Sequence, residues 1–401
     1  MNAKFSTPVK LTRESVAARS HKDGTWIVPV GSWLIATDSR VSFTGVENFA
    51  FTWSNNRYEV VYADLQQQDI FVVHLSATGQ MLDAPLAIDQ TPAASSLPNI
   101  LPTRTGYVVA WTEAGAQPHV RTHALDLSGR PTGTSHVIAY GRSPQMRPVL
   151  ARSPLGTAIS WMDQVEGSAA ATDDVGDSTT YVALLDDDVR LRADVPPQRV
   201  NAASRSGYPW LAGDGKTLAL LWSDEQLGRS DTYFAPLDGQ LKAEEMINVR
   251  DPAAEHGALL GRLTLTDVGY LAAWEDHRSG EEEIYMALLD PSGNRYAGGL
   301  VEEPGTGSAN WPHLAWTGSA AGVVYYQFRG GKPQIFITFV DQNGARVGGA
   351  ADAQISNTTE WARYPDVVWN GSEFGVLWID ARAGQPDLYF NRAVCHKPAP
   401  I

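Results

Sequence analysis

The sequence predicts an all-β fold, a seven-bladed β-propeller with four-stranded antiparallel blades. A large aromatic residue that ends a strand recurs along the chain roughly every 50 residues, and the third interval is longer than the others. The recurring residues are Tyr62, Trp111, Trp161, Trp222, Trp274, Tyr326 and Trp378. Stacked helical repeats would need a 3.6-residue apolar period, and the strands carry none. A period of about 50 with four strands per copy is typical of a propeller.

Each copy contains four strand-like segments. The first is typified by residues 208–211, the second by 107–111, the third by 283–288 and the fourth by 136–138. The third and fourth segments are joined by turns such as 126–129, in which Asp suits the turn start and Gly supplies a positive φ. These turns are predicted to be structural.

A lone strand-like segment, residues 8–12, precedes the first full copy, and the final copy supplies only three strands. We therefore expect the N-terminal strand to complete the last blade and leave no free sheet edge. The prediction is one domain over residues 1–401, with 395–401 as a tail.

Two insertions interrupt the repeats, and both fall on connections to the same face of the ring. Residues 18–46 contain a possible hairpin, 25–36, which either lies over the channel as a lid or packs against an outer blade. Residues 164–178 of blade three are rich in oxygen ligands, but they lack the spacing and terminal Glu of a calcium loop. This favours a solvated loop over a metal site.

Composition limits the partners. The net charge of -14 opposes nucleic acid and anionic membrane surfaces. No run of about 18 apolar residues exists to span a membrane. The single cysteine, Cys395, excludes an internal disulfide framework. We expect no cofactor and an extracytoplasmic protein whose leader is not part of this sequence; a cytoplasmic location and the oligomeric state stay open.

The phrase aromatic-x-Asp-x-Arg-x-Gly occurs at residues 274–280 and 378–384. In this the chain resembles a broad group of bacterial seven-bladed β-propeller proteins over nearly its whole length. Residues 111–113 lack the Arg of the phrase, and 326–329 lack the Asp. The resemblance implies the fold, and it leaves function open among lectin-like binding modules, scaffolds and enzymes. Because the phrase recurs, its Asp and Arg are predicted to brace loops.

Residues beside the start of each first strand differ from blade to blade, and an asymmetric ligand requires such differences. Their aromatic rings, arginines and histidine could stack a sugar ring and bind its carboxylate or hydroxyls. The predicted ligand-binding residues are Arg147, Arg205, Tyr208, His256, Trp311, Arg363 and Tyr364.

The favoured function is binding of a carbohydrate or carbohydrate-like small molecule at the central channel mouth. The alternatives are an enzyme that uses the same face, either a glycan-cleaving hydrolase or lyase or a small-molecule-converting enzyme, and a protein-interaction scaffold. No nucleophile-elbow, zinc-protease or phosphate-loop motif is present. Glu255 and His256 are adjacent on an extended strand and would point to opposite sides, which disfavours an acid/base pair.

Overall fold

The computed structural model describes most of the chain. The described residues are 33–36, 38–42, 44–138, 144–164, 178–201, 205–225, 229–243, 245–250, 257–347 and 352–395. Over these ranges the strands form seven antiparallel sheets, which confirms the predicted seven-bladed propeller. None of these residues belongs to a helix that could cross a bilayer.

The strands run from the channel outward in chain order within each blade. Two short strands that begin the described chain belong to the last blade, β1 (Trp33–Ile35) and β2 (Ser39–Arg40). Blade one contains β3 (Val46–Ser54), β4 (Arg57–Asp64), β5 (Ile70–Leu75) and β6 (Leu86–Asp89). Blade two contains β7 (Ser95–Pro102), β8 (Gly106–Glu113), β9 (His119–Asp126) and β10 (Pro131–Val137). Blade three contains β11 (Gln145–Ser153), β12 (Gly156–Gln164), β13 (Ser178–Leu185) and β14 (Gln198–Arg199).

The remaining blades repeat this order. Blade four contains β15 (Ser206–Gly213), β16 (Leu218–Asp224), β17 (Asp231–Pro236) and β18 (Ile247–Asn248). Blade five contains β19 (Ala258–Thr266), β20 (Gly269–Asp276), β21 (Glu283–Leu289) and β22 (Arg295–Leu300). Blade six contains β23 (Ala309–Trp316), β24 (Ala320–Gln327), β25 (Gln334–Asp341) and β26 (Ala353–Gln354). Blade seven contains β27 (Ala362–Trp369), β28 (Glu373–Asp380) and β29 (Asp387–Cys395).

The hydrophobic core lies between blades. Apolar side chains form clusters that each join two neighbouring blades, and one cluster joins Val46 of blade one to Leu377 of blade seven. The second strands β8, β20 and β28 are buried at every position, because a neighbouring blade covers each face. This explains why they read as continuous apolar runs. The strand-ending tryptophans of five blades are fully buried in these layers.

The N-terminal segment closes the ring, as predicted. β1 and β2 pair antiparallel with the outer edge of β29. Between them, Asp38 accepts hydrogen bonds from Arg382 Nη1 at 2.6 Å and from Asn391 Nδ2 at 2.7 Å. Arg40 forms an ion pair with Asp387, whose side chain is completely buried. The outer edge of β29 is therefore covered by these two strands.

The described strands that pair with β29 lie later in the chain than the segment expected to close the ring. Residues 8–12, the predicted closing strand, lie outside the described residues, and the outer edge of β29 is occupied by β1 and β2. Of the predicted hairpin 25–36, only the end from residue 33 is described. That end pairs with the outer strand of blade seven. In blade three, residues 165–177 of the predicted insertion also lie outside the described residues.

The Asp-Gly turns between third and fourth strands have the predicted construction. Asp126 Oδ1 accepts hydrogen bonds from Ser128 N at 2.8 Å and Arg130 N at 3.0 Å. Gly129 has a φ of 81°, and a Cβ there would lie 2.1 Å from His74 Nε2 of the neighbouring blade. Glycine is therefore required at this turn by both its backbone and its neighbour.

Candidate functional site

A β-bulge interrupts the inner strand of every blade near its start. The pairing register between first and second strands shifts at the same place in all seven blades. In six blades the bulged residue has a φ between 50° and 58°, a range that few non-glycine residues adopt. These residues are Leu97, Arg147, Tyr208, Leu260, Trp311 and Tyr364. Bulges of this kind re-aim side chains, and in blades two to six both the bulged residue and the residue two positions beyond it line the channel.

Side chains of the preceding blade satisfy the amides exposed by the bulges. Trp311 N donates to Glu275 Oε1 at 2.6 Å, and Arg147 N donates to Thr112 Oγ1 at 3.1 Å. Glu275 and Thr112 occupy the same position, directly after the strand-ending tryptophan. The bulge is therefore a built feature of the fold, while the side chain at its tip is free to vary.

A cavity of about 300 Å³ occupies the channel at the level of the bulges. It is lined by residues from the inner strands of all seven blades. Three of the predicted ligand-binding residues line it, namely Arg147, Tyr208 and Trp311. Pocket walls that combine rings with a few polar groups are typical of small-ligand sites.

A second ring of side chains lies two residues beyond the bulges. Its members are Ala50, Asn99, Val149, Trp210, Arg262, His313 and Asp366, and all of them line the cavity. Blades four to seven thus place a tryptophan, an arginine, a histidine and an aspartate side by side around half of the wall. The ring is small or apolar in blades one and three, so the site is asymmetric.

Arg262, His313 and Asp366 form a hydrogen-bonded chain across three blades. His313 Nδ1 lies 2.7 Å from Asp366 Oδ1, and Arg262 Nε donates to His313 Nε2 at 2.8 Å. The imidazole therefore carries its proton on Nδ1 and is neutral. Burial, with the nearby Arg262 charge, lowers the pKa of His313 despite the opposing pull of Asp366. Both ring nitrogens are engaged, so His313 orients Arg262 and has no free lone pair for proton transfer.

The Arg262 guanidinium is held between aromatic rings. Its Cζ lies 4.3 Å from the Trp210 ring centroid and 5.4 Å from that of Trp311. Trp210 is fixed in turn, because its Nε1 donates to Leu263 O at 3.1 Å. The Arg262 side chain is buried, and this burial lowers its pKa to about 10. It nevertheless remains charged at neutral pH.

Three of the other predicted residues are described, and none of them lines the cavity. Tyr364 packs edge-on against Trp311 with ring centroids 5.0 Å apart. Arg363 lies 5.6 Å from the Phe328 ring, away from the cavity wall. Arg205 pairs with Glu225 at 3.0 Å and its side chain is 56% exposed. His256 lies outside the described residues.

The second-ring residues Trp210, Arg262, His313 and Asp366 are absent from the set predicted from sequence. A signal was present, since charged or imidazole side chains interrupt otherwise apolar inner strands. Five of the six bulged positions precede a buried proline, and the second-ring residue follows it directly. A proline does not donate to the ladder, so its repeated presence inside a strand marks a bulge.

The repeated Asp and Arg of the aromatic-x-Asp-x-Arg phrase brace loops, as expected. Asp276 accepts from Trp274 Nε1 at 3.0 Å and from Arg278 Nε at 2.8 Å. The Arg278 guanidinium then covers the Tyr285 ring at 3.9 Å. In blade six, which lacks the Asp, Gln327 Oε1 accepts from Arg329 Nε at 2.6 Å and takes the same place. These residues stabilise the blades and do not line the cavity.

Comparisons with known proteins identify the fold alone. No protein-family model and no curated protein sequence matches this chain. A Mycobacterium tuberculosis puromycin-hydrolyzing peptidase is 14% identical over 90% of this chain and 56% of its own, with a TM-score of 0.54. A Pyrococcus horikoshii acylaminoacyl peptidase is 12% identical over 88% and 52%, with a TM-score of 0.49. A GH43 endo-arabinanase from Bacillus licheniformis is 12% identical over 74% and 92%, with a TM-score of 0.36. The chain spans about half the length of the two peptidases.

Proposed function

We propose that this propeller is a ligand-binding protein that holds one carbohydrate-sized, hydroxylated molecule at the mouth of its central channel. The observation that carries the proposal is the asymmetric cavity wall, where Trp210, Arg262, Trp311 and Asp366 meet. An extracytoplasmic location is part of the proposal.

The chemistry of the wall suits a sugar. Trp311 and Tyr208 are bulge-tip rings and offer apolar surface for the C–H face of a pyranose or furanose. Asp366 is within the wall and its side chain is 18% exposed, so a carboxylate oxygen can accept a hydroxyl hydrogen. The volume of about 300 Å³ is at the small end of ligand pockets, which matches a single ring better than a long oligomer.

Binding is favoured over glycan cleavage by the carboxylates of the cavity. Hydrolysis of a glycosidic bond usually requires two carboxyl groups about 5–10 Å apart across the bond. Among the described residues that line the cavity, Asp366 is the one carboxylate, and it is committed to His313. His313 has no ring nitrogen left to act as a base. The wall can therefore position a sugar but offers no acid/base pair.

The test is a glycan array on the purified protein, followed by calorimetric titration of the sugars that bind. Trp311→Ala should weaken binding by about 1–3 kcal/mol, the usual loss for an aromatic anchor. The matched control is Trp316→Ala, a tryptophan on the same strand whose Nε1 bonds Asp267 and which does not line the cavity. Equal affinities for both variants and the wild type would contradict the proposal, and release of reducing ends from a bound glycan would favour the enzymatic alternative.

A further inference from the structure

Arg262 is a buried cation that has no carboxylate in direct contact among the described residues. Two arginines, Arg250 and Arg262, are buried among the described residues, with 3% and 8% exposure. Arg250 lies 2.5 Å from Asp231 and 3.4 Å from Asp276. No carboxylate of the described residues lies within 4.0 Å of Arg262, whose nearest neighbours are the neutral His313 and two carbonyl oxygens. Burying a charge without a contacting counter-ion is unfavourable. Arg250 has such counter-ions and Arg262 does not, which suggests that Arg262 is kept for a ligand.

The guanidinium of Arg262 has one nitrogen left for a ligand. Nε donates to His313 Nε2, and Nη1 donates to Gly261 O at 3.1 Å. Nη2 has no hydrogen-bond acceptor among the described residues, while the side chain lines the cavity. Trp210 and the His313–Asp366 pair fix the plane of the group. A preorganised, partly satisfied guanidinium of this kind is suited to an oxyanion.

Asp366 is not in direct contact with Arg262, although its negative charge opposes the lowering of the Arg262 pKa by burial. Its Oδ1 already accepts from His313 Nδ1 at 2.7 Å and from Val367 N at 2.7 Å. Because His313 stands between them, the Asp366 carboxylate orients Arg262 from a distance and leaves the cavity side of the guanidinium open.

A second cation faces the same cavity. Arg147 is a bulge-tip residue of blade three, and its Cζ lies 4.9 Å from the Tyr208 ring centroid. Burial lowers the pKa of Arg262, the negative charges of Asp366 and Glu275 oppose this shift, and the positive charge of Arg147 adds to it. The protein as a whole has a net charge of -14, so a cavity lined by two arginines contrasts with the rest of the molecule.

We propose that the ligand is an acidic sugar, a monosaccharide unit that bears a carboxylate. Its carboxylate pairs with Arg262 Nη2 on the side of Arg147, its ring packs on Trp311, and a ring hydroxyl donates to Asp366. A doubly charged phosphate fits less well, since Asp366 would repel its second charge. This inference rests on the proposed function, because it names the class of sugar for the same cavity.

The experiment compares sugars that differ in the carboxylate alone. D-glucuronate and D-galacturonate are titrated into the protein by calorimetry, with D-glucose and D-galactose as neutral counterparts and acetate as a carboxylate without a ring. At least one uronate should bind about tenfold or more tighter than its neutral parent, the scale of a charge-assisted hydrogen bond. Acetate should bind far more weakly than the uronate, because it has no ring to stack.

Variants distinguish the proposal of an acidic sugar from the proposal that the cavity binds a sugar at all. Arg262→Gln should remove the preference for the uronate, whereas Trp311→Ala should weaken uronate and neutral sugar alike. Since Arg262 is buried, Arg147→Gln serves as a second variant at the cavity rim and should reduce the same preference in a protein whose circular dichroism spectrum is unchanged.

Each other outcome is decisive. Equal binding of uronate and neutral sugar, with Trp311→Ala still harmful, would overturn the acidic class and leave the sugar site intact. Acetate binding as tight as the uronate would also overturn it, by showing that a bare carboxylate suffices. No saturable binding of any of the sugars would overturn both the acidic class and the cavity as a sugar site.

Discussion

Removal of residues 1–42 should open the propeller ring. The deletion takes away β1 and β2, which cover the outer edge of β29 in blade seven. It also removes Arg40, which pairs with Asp387. The backbone groups of β29 that faced these strands become exposed to water, and β29 becomes the unprotected edge strand of blade seven.

Two buried contacts set the magnitude of the effect. Val41 is fully buried in the cluster between blades seven and one, and its loss costs about 1.5–3 kcal/mol. Breaking a fully buried ion pair costs about 3–5 kcal/mol. Because the Arg40 side chain is 31% exposed, the loss at Asp387 is nearer to about 1–2 kcal/mol. The free energy of unfolding should therefore fall by roughly 2.5–5 kcal/mol from these contacts.

The assay is equilibrium unfolding in urea followed by tryptophan fluorescence. A deletion of residues 1–14 is the control, since it retains β1, β2 and Val41. The longer deletion should lower the urea midpoint well below that of the control. An unchanged midpoint for the longer deletion would refute closure by these strands. An equal loss in both proteins would assign the closure to the first fourteen residues, which include the segment 8–12.

Three further predictions concern stability. Asp276→Ala should lower the free energy of unfolding by about 3–5 kcal/mol in urea titrations, because a fully buried carboxylate that binds two arginines and an indole is lost. Burial raises the pKa of Glu302 to about 8. Between about pH 4.5 and 8 the folded protein therefore keeps a proton that the unfolded chain has lost, so the free energy of unfolding falls as the pH rises. Glu302→Gln should flatten this pH dependence. Gly129→Ala should lower the melting temperature more than Gly133→Ala, since both have positive φ but a Cβ on Gly129 alone would collide with His74.

The blades were predictable from sequence because their determinants are local and repeated. An aromatic residue that must be buried between blades recurs at the end of each second strand, and its spacing gives the number of blades. The open edge of the last copy likewise predicts that another part of the chain must cover it. The segment that pairs with β29 was not predictable, since short polar strands such as β2 carry little periodicity. The ion pair between Arg40 and Asp387 also joins residues that are far apart in the sequence and meet only in the folded ring.

The site was predicted in part. Residues beside the start of each inner strand were predicted to bind the ligand because they differ from blade to blade, and Arg147, Tyr208 and Trp311 do line the cavity. The bulge brings a second ring of residues to the channel, including Arg262 and His313. A bulge depends on pairing with the neighbouring strand and on side chains of the preceding blade. A single sequence therefore shows it only indirectly, through the proline inside the strand.

The most direct test is a crystal structure of the protein with the tightest-binding sugar from the array. We expect ligand density in the channel cavity, with the sugar ring against Trp311 and an oxygen within hydrogen-bonding distance of Arg262 Nη2. Density at an outer blade edge or on the opposite face of the ring, with the cavity free of sugar, would contradict the central site.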